Sequence, residues 1–266
     1  MTITPQIERD KIIYPSSDGE PMAESDITRS YLIYCVKVLE IYFQNRSDVY
    51  VSGNSFIYYE RGKPASVVSP DVYVVFGVRK GQRDNYKVWD EDGITPDFVL
   101  EITSKSTEKK DQVTKPELYR ELGIKEYFQY DPSGDYLSPI VQGLRLVNGN
   151  YEAIKPLEVK SYDNMRLHSD VLDLDLCLIS GELRFQNTQT GDFLLTHEEE
   201  REGRIEEKYA RLQAEQERIQ AEQERIKAEQ SLKNAVNQLL KSEFTVEQIA
   251  QMMQLSVEKV RLLVEE

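Results

Sequence analysis

Two nearly continuous apolar runs constrain the fold of this chain more than any other feature of its sequence. The runs are Val72–Val78 and Phe98–Thr103, and such runs are typical of strands that are covered on both faces. Asp26–Gln44 instead has apolar residues at helical spacing, and Ser25 or Asp26 can cap its start. Because predicted strands occur together with helices at their flanks, the sequence predicts an α/β or α+β domain.

Shorter segments complete this domain, which we expect to span residues 1–196. Val49–Val51 and Phe56–Tyr59 flank a Gly53-Asn54 turn and are predicted to form a hairpin. Thr114–Leu122 is predicted to be a short helix that begins with a capping box. Further strands are predicted at Glu126–Tyr130, Leu144–Val147, Tyr151–Ile154 and Leu183–Phe185.

The tail begins with a charged segment, residues 197–232, which we expect to be one long helix. Its heptads Ala214–Gln220 and Ala221–Lys227 are nearly identical. The apolar residues recur at seven-residue steps, but three of the four positions that lie four residues further on are glutamine. This thin apolar seam leaves two interpretations open, a solvated spacer helix and a weak coiled coil that makes a homodimer. The apolar residues are Ile205, Leu212, Ile219 and Ile226.

The last segment, residues 233–266, is predicted to be a small helical hairpin. Thr245 and Ser256 can each cap a helix. The shape is that of a helix-turn-helix. However, the second helix, Ser256–Glu266, has three glutamates against one lysine and one arginine, a charge that is wrong for binding phosphates.

Composition excludes several classes of protein. The chain has a formal net charge of −14, so its overall field does not attract nucleic acid. Two cysteines and two histidines exclude a disulfide framework, a zinc ribbon and a histidine-rich metal site. The absence of a long apolar run and of a signal-peptide pattern leads us to expect a cytoplasmic protein with no membrane partner. Catalysis by such a chain must rest on carboxylates, lysines and tyrosines.

Carboxylates occupy positions in the two apolar runs where burial is costly. Asp71 opens the first run, and Glu101 lies inside the second, in which Asp97, Glu101 and Thr103 share one face. A magnesium or manganese ion is the simplest compensation for a buried acid, since hard cations prefer carboxylate oxygens. A metal held by Asp71 and Glu101, with a nearby lysine, could hydrolyse a phosphodiester. Glu24 and Glu40 are weaker candidates for a further acidic ligand.

Several motifs occur in a fixed order along the chain: Ser69–Gly77, Pro96–Thr107, Asp111, Gly123–Phe128 and Asp131-Pro132. In this order they resemble a large bacterial family of restriction-endonuclease-like proteins in the PD-(D/E)XK nuclease superfamily. The similarity runs from about residue 20 to 197. It implies a mixed central sheet flanked by helices and metal-dependent phosphodiesterase chemistry, with Asp71 and Glu101 as the two acidic residues of the pattern.

The sequence departs from that pattern at one position. Thr103 occupies the place of the usual lysine, two residues after the acid. Either Lys105 or Lys115 then supplies the charge from a displaced position, or the site is weakened. We favour Lys115, because a helix predicted to begin there offers free N–H groups to a phosphate.

Two function classes therefore compete. The first is a magnesium- or manganese-dependent endonuclease with DNA as its substrate. The second is a catalytically inert nuclease-like module that binds a partner or nucleic acid, and a helix-turn-helix regulator is a weaker third. A homodimer could form through the sheet domain or through the C-terminal helix.

Overall fold

The structure is a computed structural model, and it describes residues 12–16 and 25–265. Glu24 lies outside the described residues. The chain divides after Thr196 into two compact units, each described by itself. Among the described residues, no helix is both long enough and apolar enough to cross a membrane.

The first unit contains a helix, α1 (Asp26–Tyr42), and two sheets that carry its core. The thirteen strands assigned within the described residues are β1 (Val49–Ser52), β2 (Ile57–Tyr58), β3 (Val67–Val68), β4 (Val72–Phe76), β5 (Tyr86–Lys87), β6 (Phe98–Ile102), β7 (Glu126–Tyr130), β8 (Val141–Val147), β9 (Asn150–Ala153), β10 (Glu158–Ser161), β11 (Asn164–Ser169), β12 (Leu174–Ile179) and β13 (Glu182–Asn187). A second helix, α2 (Lys115–Glu121), lies between β6 and β7.

The central sheet is mixed and has the strand order β1-β4-β6-β7-β8-β9. Its β6 and β7 pair in parallel, and its other neighbouring pairs are antiparallel. One face packs on α1 through Cys35, Val38 and Leu39, while the other face carries a second apolar cluster that includes Tyr119 and Tyr127. The predicted mixed α/β architecture is confirmed, and both apolar runs are buried strands.

The predicted hairpin around Gly53-Asn54 is wrong. The strand β1 pairs with β4, whereas β2 joins β3 and β5 in a separate three-stranded sheet. At Gly53 the chain passes so close to the residues before β4 that there is no room for a side chain. A Cβ on Gly53 would lie 2.2 Å from the carbonyl oxygen of Asp71, and Asn54 N donates to Pro70 O at 2.8 Å.

A four-stranded antiparallel sheet, β10-β11-β12-β13, follows the central sheet, and of these strands only β13 was predicted. Leu167, Leu174, Leu176 and Phe185 belong to the same core cluster as the α1 face of the central sheet. The two sheets therefore share one hydrophobic core.

The predicted capping box at Thr114 is also wrong. Lys110–Thr114 is a π-helical segment that leads directly into α2, and Thr114 has helical backbone angles with no side-chain cap. The amide of Lys115 already donates to Lys110 O, so Lys115 does not lie at a free helix N-terminus. The helical segment begins at Glu108, before the predicted start at Thr114.

The second unit consists of the long helix α3 (His197–Lys241) and two short helices, α4 (Val246–Met252) and α5 (Val257–Glu265). The helix extends beyond the predicted 197–232. Its last turns supply Leu232, Val236 and Leu239 to a core shared with α4 and α5. The predicted capping box at Thr245 and the cap at Ser256 are both confirmed.

Candidate active site

The site is built where the start of β4 lies beside the end of β6. Antiparallel pairing of Val72 with Leu100 places Asp71 next to Glu101, although 30 positions separate them in sequence. The amide of Asp71 donates to Glu101 Oε2 at 3.3 Å, and Asp71 Oδ2 accepts from the amide of Ile102 at 2.7 Å. The two acids of the sequence pattern are therefore neighbours at one end of the sheet.

Glu101 is fully buried, with 0% of its surface exposed. Tyr119 Oη donates to Glu101 Oε1 at 2.6 Å, and Lys115 Nζ lies 2.8 Å from Glu101 Oε2. Both contacts come from α2, which packs on the same face of the sheet. Of the two candidate lysines, Lys115 is thus the one that reaches the buried acid.

Asp111 adds a third buried carboxylate to the site. It is 0% exposed, and its Oδ1 lies 2.9 Å from Lys115 Nζ. Its Oδ2 has no hydrogen-bond donor within the described residues. Tyr127 Oη donates to the Asp111 carbonyl at 2.7 Å and so fixes the backbone of the π-helical segment. Lys115 is therefore held between two buried acids.

The site has more buried negative charge than positive charge. Burial raises the pKa of Glu101 to about 8; the Lys115 ammonium opposes this rise, and the charges of Asp71 and Asp111 add to it. Burial likewise raises the pKa of Asp71. The pKa of Lys115 is raised because the nearby Glu101 and Asp111 charges outweigh its desolvation. One lysine does not neutralise three carboxylates.

This excess charge makes the site chemically suited to a divalent cation. No group of three histidine, cysteine or acidic residues in the described part of the chain is arranged as a ready cage for a metal. Magnesium does not require one, since it is usually bound through one or two carboxylates and keeps several waters. The pair Asp71 and Glu101 fits that kind of ligand set.

The remaining predicted residues lie away from the buried acid. Lys105, the other candidate lysine, is an exposed residue in the turn after β6. Asp97 lies at the opposite end of β6, where it accepts from the amide of Phe76 at 2.9 Å and pairs with Lys125 at 2.6 Å. Glu40 pairs with Lys37 on α1. Asp97 is thus bound to the backbone and to a lysine at the other end of the strand, and Glu40 lies in an ion pair on the helix surface.

A cleft of about 520 Å³ opens beside Asp71. Most of its polar lining consists of hydroxyl groups, and Lys105 contributes an ammonium group. Thr103, in the usual lysine position, also lines the cleft, and its buried Oγ1 has no hydrogen-bond partner among the described residues. Among the hydroxyl-bearing residues at the cleft are Ser25, Thr28, Ser104, Thr107, Ser133 and Tyr136.

Sequence reasoning gave no role to Asp111 or Tyr119. Asp111 was noted only as a residue that matches the family's motifs, and Tyr119 was not noted at all. A signal for both was present, because Asp111, Lys115 and Tyr119 follow each other at four-residue steps. Residues at that spacing lie on one face of a helix, so a lysine assigned to the site predicts its neighbours too.

Comparison with known proteins gives a matching family and similarity to solved structures. The model of the Uma2 family, described as "Putative restriction endonuclease", matches residues 6–178. A crystal structure of a putative nuclease belonging to DUF820 from Anabaena variabilis is similar at 14% identity and a TM-score of 0.38. The similarity covers 53% of this chain and 76% of that one. No curated protein matches the chain.

Proposed function

This chain belongs to the Uma2 family, and on that premise we propose that it is a metal-dependent DNA endonuclease that hydrolyses phosphodiester bonds. The observation that carries the proposal is the position of Lys115. Its Nζ lies 2.8 Å from the buried Glu101, so the charge that Thr103 cannot supply comes from α2 instead.

Asp71 and Glu101 would hold a magnesium or manganese ion. When bound, such an ion polarises a phosphoryl oxygen and lowers the pKa of a coordinated water. The donor set supports this role, because two adjacent carboxylates, one fully buried, share the start of β4 and the end of β6. Their negative charge, which Lys115 alone does not neutralise, is what a divalent cation would offset.

The surrounding side chains would keep the reacting groups in place. Lys115 is the charged donor that can orient a water and stabilise negative charge developing on the phosphate. Asp111 holds that ammonium at the site, and Tyr119 fixes one oxygen of Glu101. Residues that are buried and hydrogen-bonded in this way lose little freedom when substrate binds.

The cleft beside Asp71 is the surface that we propose for the DNA strand. Its hydroxyl groups and Lys105 can bind phosphate oxygens locally, although the chain as a whole carries a charge of −14. Phosphate contacts of this kind position a strand without reading its sequence. Binding should therefore be weak and strongly dependent on salt.

A second function is favoured by a specific observation. Thr103 replaces the usual lysine, and Lys115 is already paired with both Glu101 and Asp111. A site closed by its own ion pairs would suit a catalytically inert module that binds a partner or nucleic acid. The two functions differ in whether the purified protein cuts DNA.

Nicking of supercoiled plasmid tests the proposal. We expect the full-length protein to nick with magnesium or manganese and not in EDTA, and Lys115→Met to lose at least about 100-fold in rate, as is typical when a charge-stabilising donor is lost. Lys63→Met, which removes an exposed lysine, is the matched control and should nick normally. Loss of nicking in Lys105→Met but not in Lys115→Met would reassign the lysine. A wild-type protein that nicks no DNA would favour the inert module.

A further inference from the structure

The middle of α3 has an apolar stripe. Every residue from 201 to 230 is exposed in the single chain. Within this segment, four large aliphatic side chains recur at seven-residue steps, with 42–51% of their surface exposed. A strict seven-residue repeat keeps these side chains on one side of a supercoiled helix. The four residues are Ile205, Leu212, Ile219 and Ile226.

The repeat assigns each residue a position in a coiled coil. With the aliphatic residues at d, the a positions within residues 201–230 are Glu202, Tyr209, Gln216, Gln223 and Gln230. The alternative, with the aliphatic residues at a, would put Lys208, Glu215, Glu222 and Glu229 at d and bury charge in every layer. Polar residues at a lower stability but fix register and the number of strands.

The flanking charges complement a second copy of the same helix. In a parallel, in-register pair, each g residue faces the e residue five positions later on the partner. This brings Arg201 opposite Glu206, and Glu222 opposite Lys227. The g residues between them, Lys208 and Glu215, face glutamine, so no g residue in this segment faces an e residue of like charge. One pair of like charges does meet, at the first a position, where Glu202 faces Glu202 of the second helix.

Antiparallel pairing does not have this complementarity. In that arrangement g residues face g residues, and three of the five g positions are glutamate. Near the centre of the coil, Glu215 of each helix would face Glu222 of the other. Like charges in direct opposition are destabilising.

We propose that α3 binds α3 of a second copy of this chain as a parallel, in-register two-stranded coiled coil over residues 201–230, about 45 Å long. The aliphatic d residues form its dry layers, and the glutamine a residues form polar layers between them. Because the pairing is parallel, both sheet domains join the coil at the same end.

Sedimentation equilibrium of the full-length protein tests the pairing. We expect the protein to be a dimer when its concentration is raised to about 100 µM. Ile219→Lys, which places a charge in a d layer, should shift the protein to a monomer with unchanged helix content by circular dichroism. Ala221→Lys adds the same charge at the outward f position and should remain a dimer. A monomeric wild type, or an Ile219→Lys protein that stays dimeric, would overturn the proposal.

Disulfide trapping tests the orientation. A cysteine at Gln230, an a position near one end of the coil, should cross-link within the dimer under mild oxidation only if the helices are parallel. Gln230→Cys is therefore expected to cross-link, and Ala228→Cys, at an f position, is not. The natural Cys35 and Cys177 are both buried and should give little background. A dimer in which Gln230→Cys fails to cross-link would show that the parallel arrangement is wrong.

Discussion

At the scale of single residues, the chemistry depends on one acid in an apolar strand. Glu101 is fully buried among hydrophobic neighbours, and its negative charge is stabilised by Lys115 and Tyr119. Burial without full compensation is expensive for a charge, which is why the pKa of Glu101 rises to about 8. The same imbalance is what makes the site suited to a divalent cation.

This pKa shift predicts a pH dependence of stability in the metal-free protein. A carboxyl whose pKa is raised on folding stabilises the fold below its unfolded pKa, and this contribution is lost as the pH rises through the folded pKa. Between pH 4.5 and about 8, Glu101 should therefore lower the free energy of unfolding by up to about 1.4 kcal/mol per pH unit. Urea unfolding of wild type and Glu101→Gln in EDTA measures this difference. Identical pH slopes for the two proteins would contradict it.

Residue patterns also decided which parts of the site could be predicted. Asp71 and Glu101 could be predicted because an acid in or beside a buried strand needs a compensating charge, and a metal site supplies one. The position of Lys115 was supported for the wrong reason, since its amide is already bonded within the π-helical segment. Asp111 lies in that segment, and nothing in the local sequence separates a π-helical turn from an α-helical one.

At the scale of elements, the two sheets are connected by an ion pair between a fully buried glutamate and a partly exposed arginine. Glu126, at the start of β7, is fully buried, and Arg145 of β8 binds its Oε1 through both Nε and Nη2 at 2.8 Å. Arg145 also donates to the carbonyl of His168, at 3.1 Å, and pairs with Asp170 at the end of β11. The central sheet is thereby fixed to the second one.

Removing this arginine should destabilise the first unit. Arg145→Met leaves the Glu126 carboxylate buried with only neutral donors, and breaking such a pair costs about 3 kcal/mol. The free energy of unfolding from urea titration gives the value. Arg29→Met, which breaks the exposed pair with Asp26, is the control and should have little effect. Equal losses for the two variants would mean that the pair between Arg145 and Glu126 does not stabilise the junction.

The sequence predicted the central sheet better than the second sheet. The strands β4 and β6 are unbroken apolar runs, whereas β10 has four exposed residues and no apolar face. The strand β11 did contain a usable signal, since Met165, Leu167 and Ser169 alternate with more exposed residues. The hairpin at Gly53 failed because a turn motif between two strands does not specify which strands pair.

At the scale of the whole molecule, the two units each have a core of their own. The sheets of the first unit enclose clusters built on Phe98, Leu100 and Tyr127, and the second unit packs Val236 against Ile249 and Val260. We propose three functional segments: a nuclease-like domain over 1–196, a spacer helix over 197–232 and a helical end over 233–266.

Truncation tests this organisation. Because the first unit has a complete core, residues 1–196 alone should fold and melt within a few degrees of the corresponding transition of the full-length protein. Circular dichroism and thermal melts measure both properties. A truncated protein that is unfolded or aggregates would show that the boundary at Thr196 is wrong.

The most direct test of the account is whether Asp71 and Glu101 bind a metal. Isothermal titration calorimetry of full-length protein with manganese should give binding of one ion per chain. Glu101→Gln should abolish this binding and keep the fold, while Glu40→Gln, the same chemical change at a surface position of α1, should bind as wild type does. Manganese binding that is unchanged in Glu101→Gln, or absent from the wild type, would contradict the proposal that the buried carboxylate pair is a metal site.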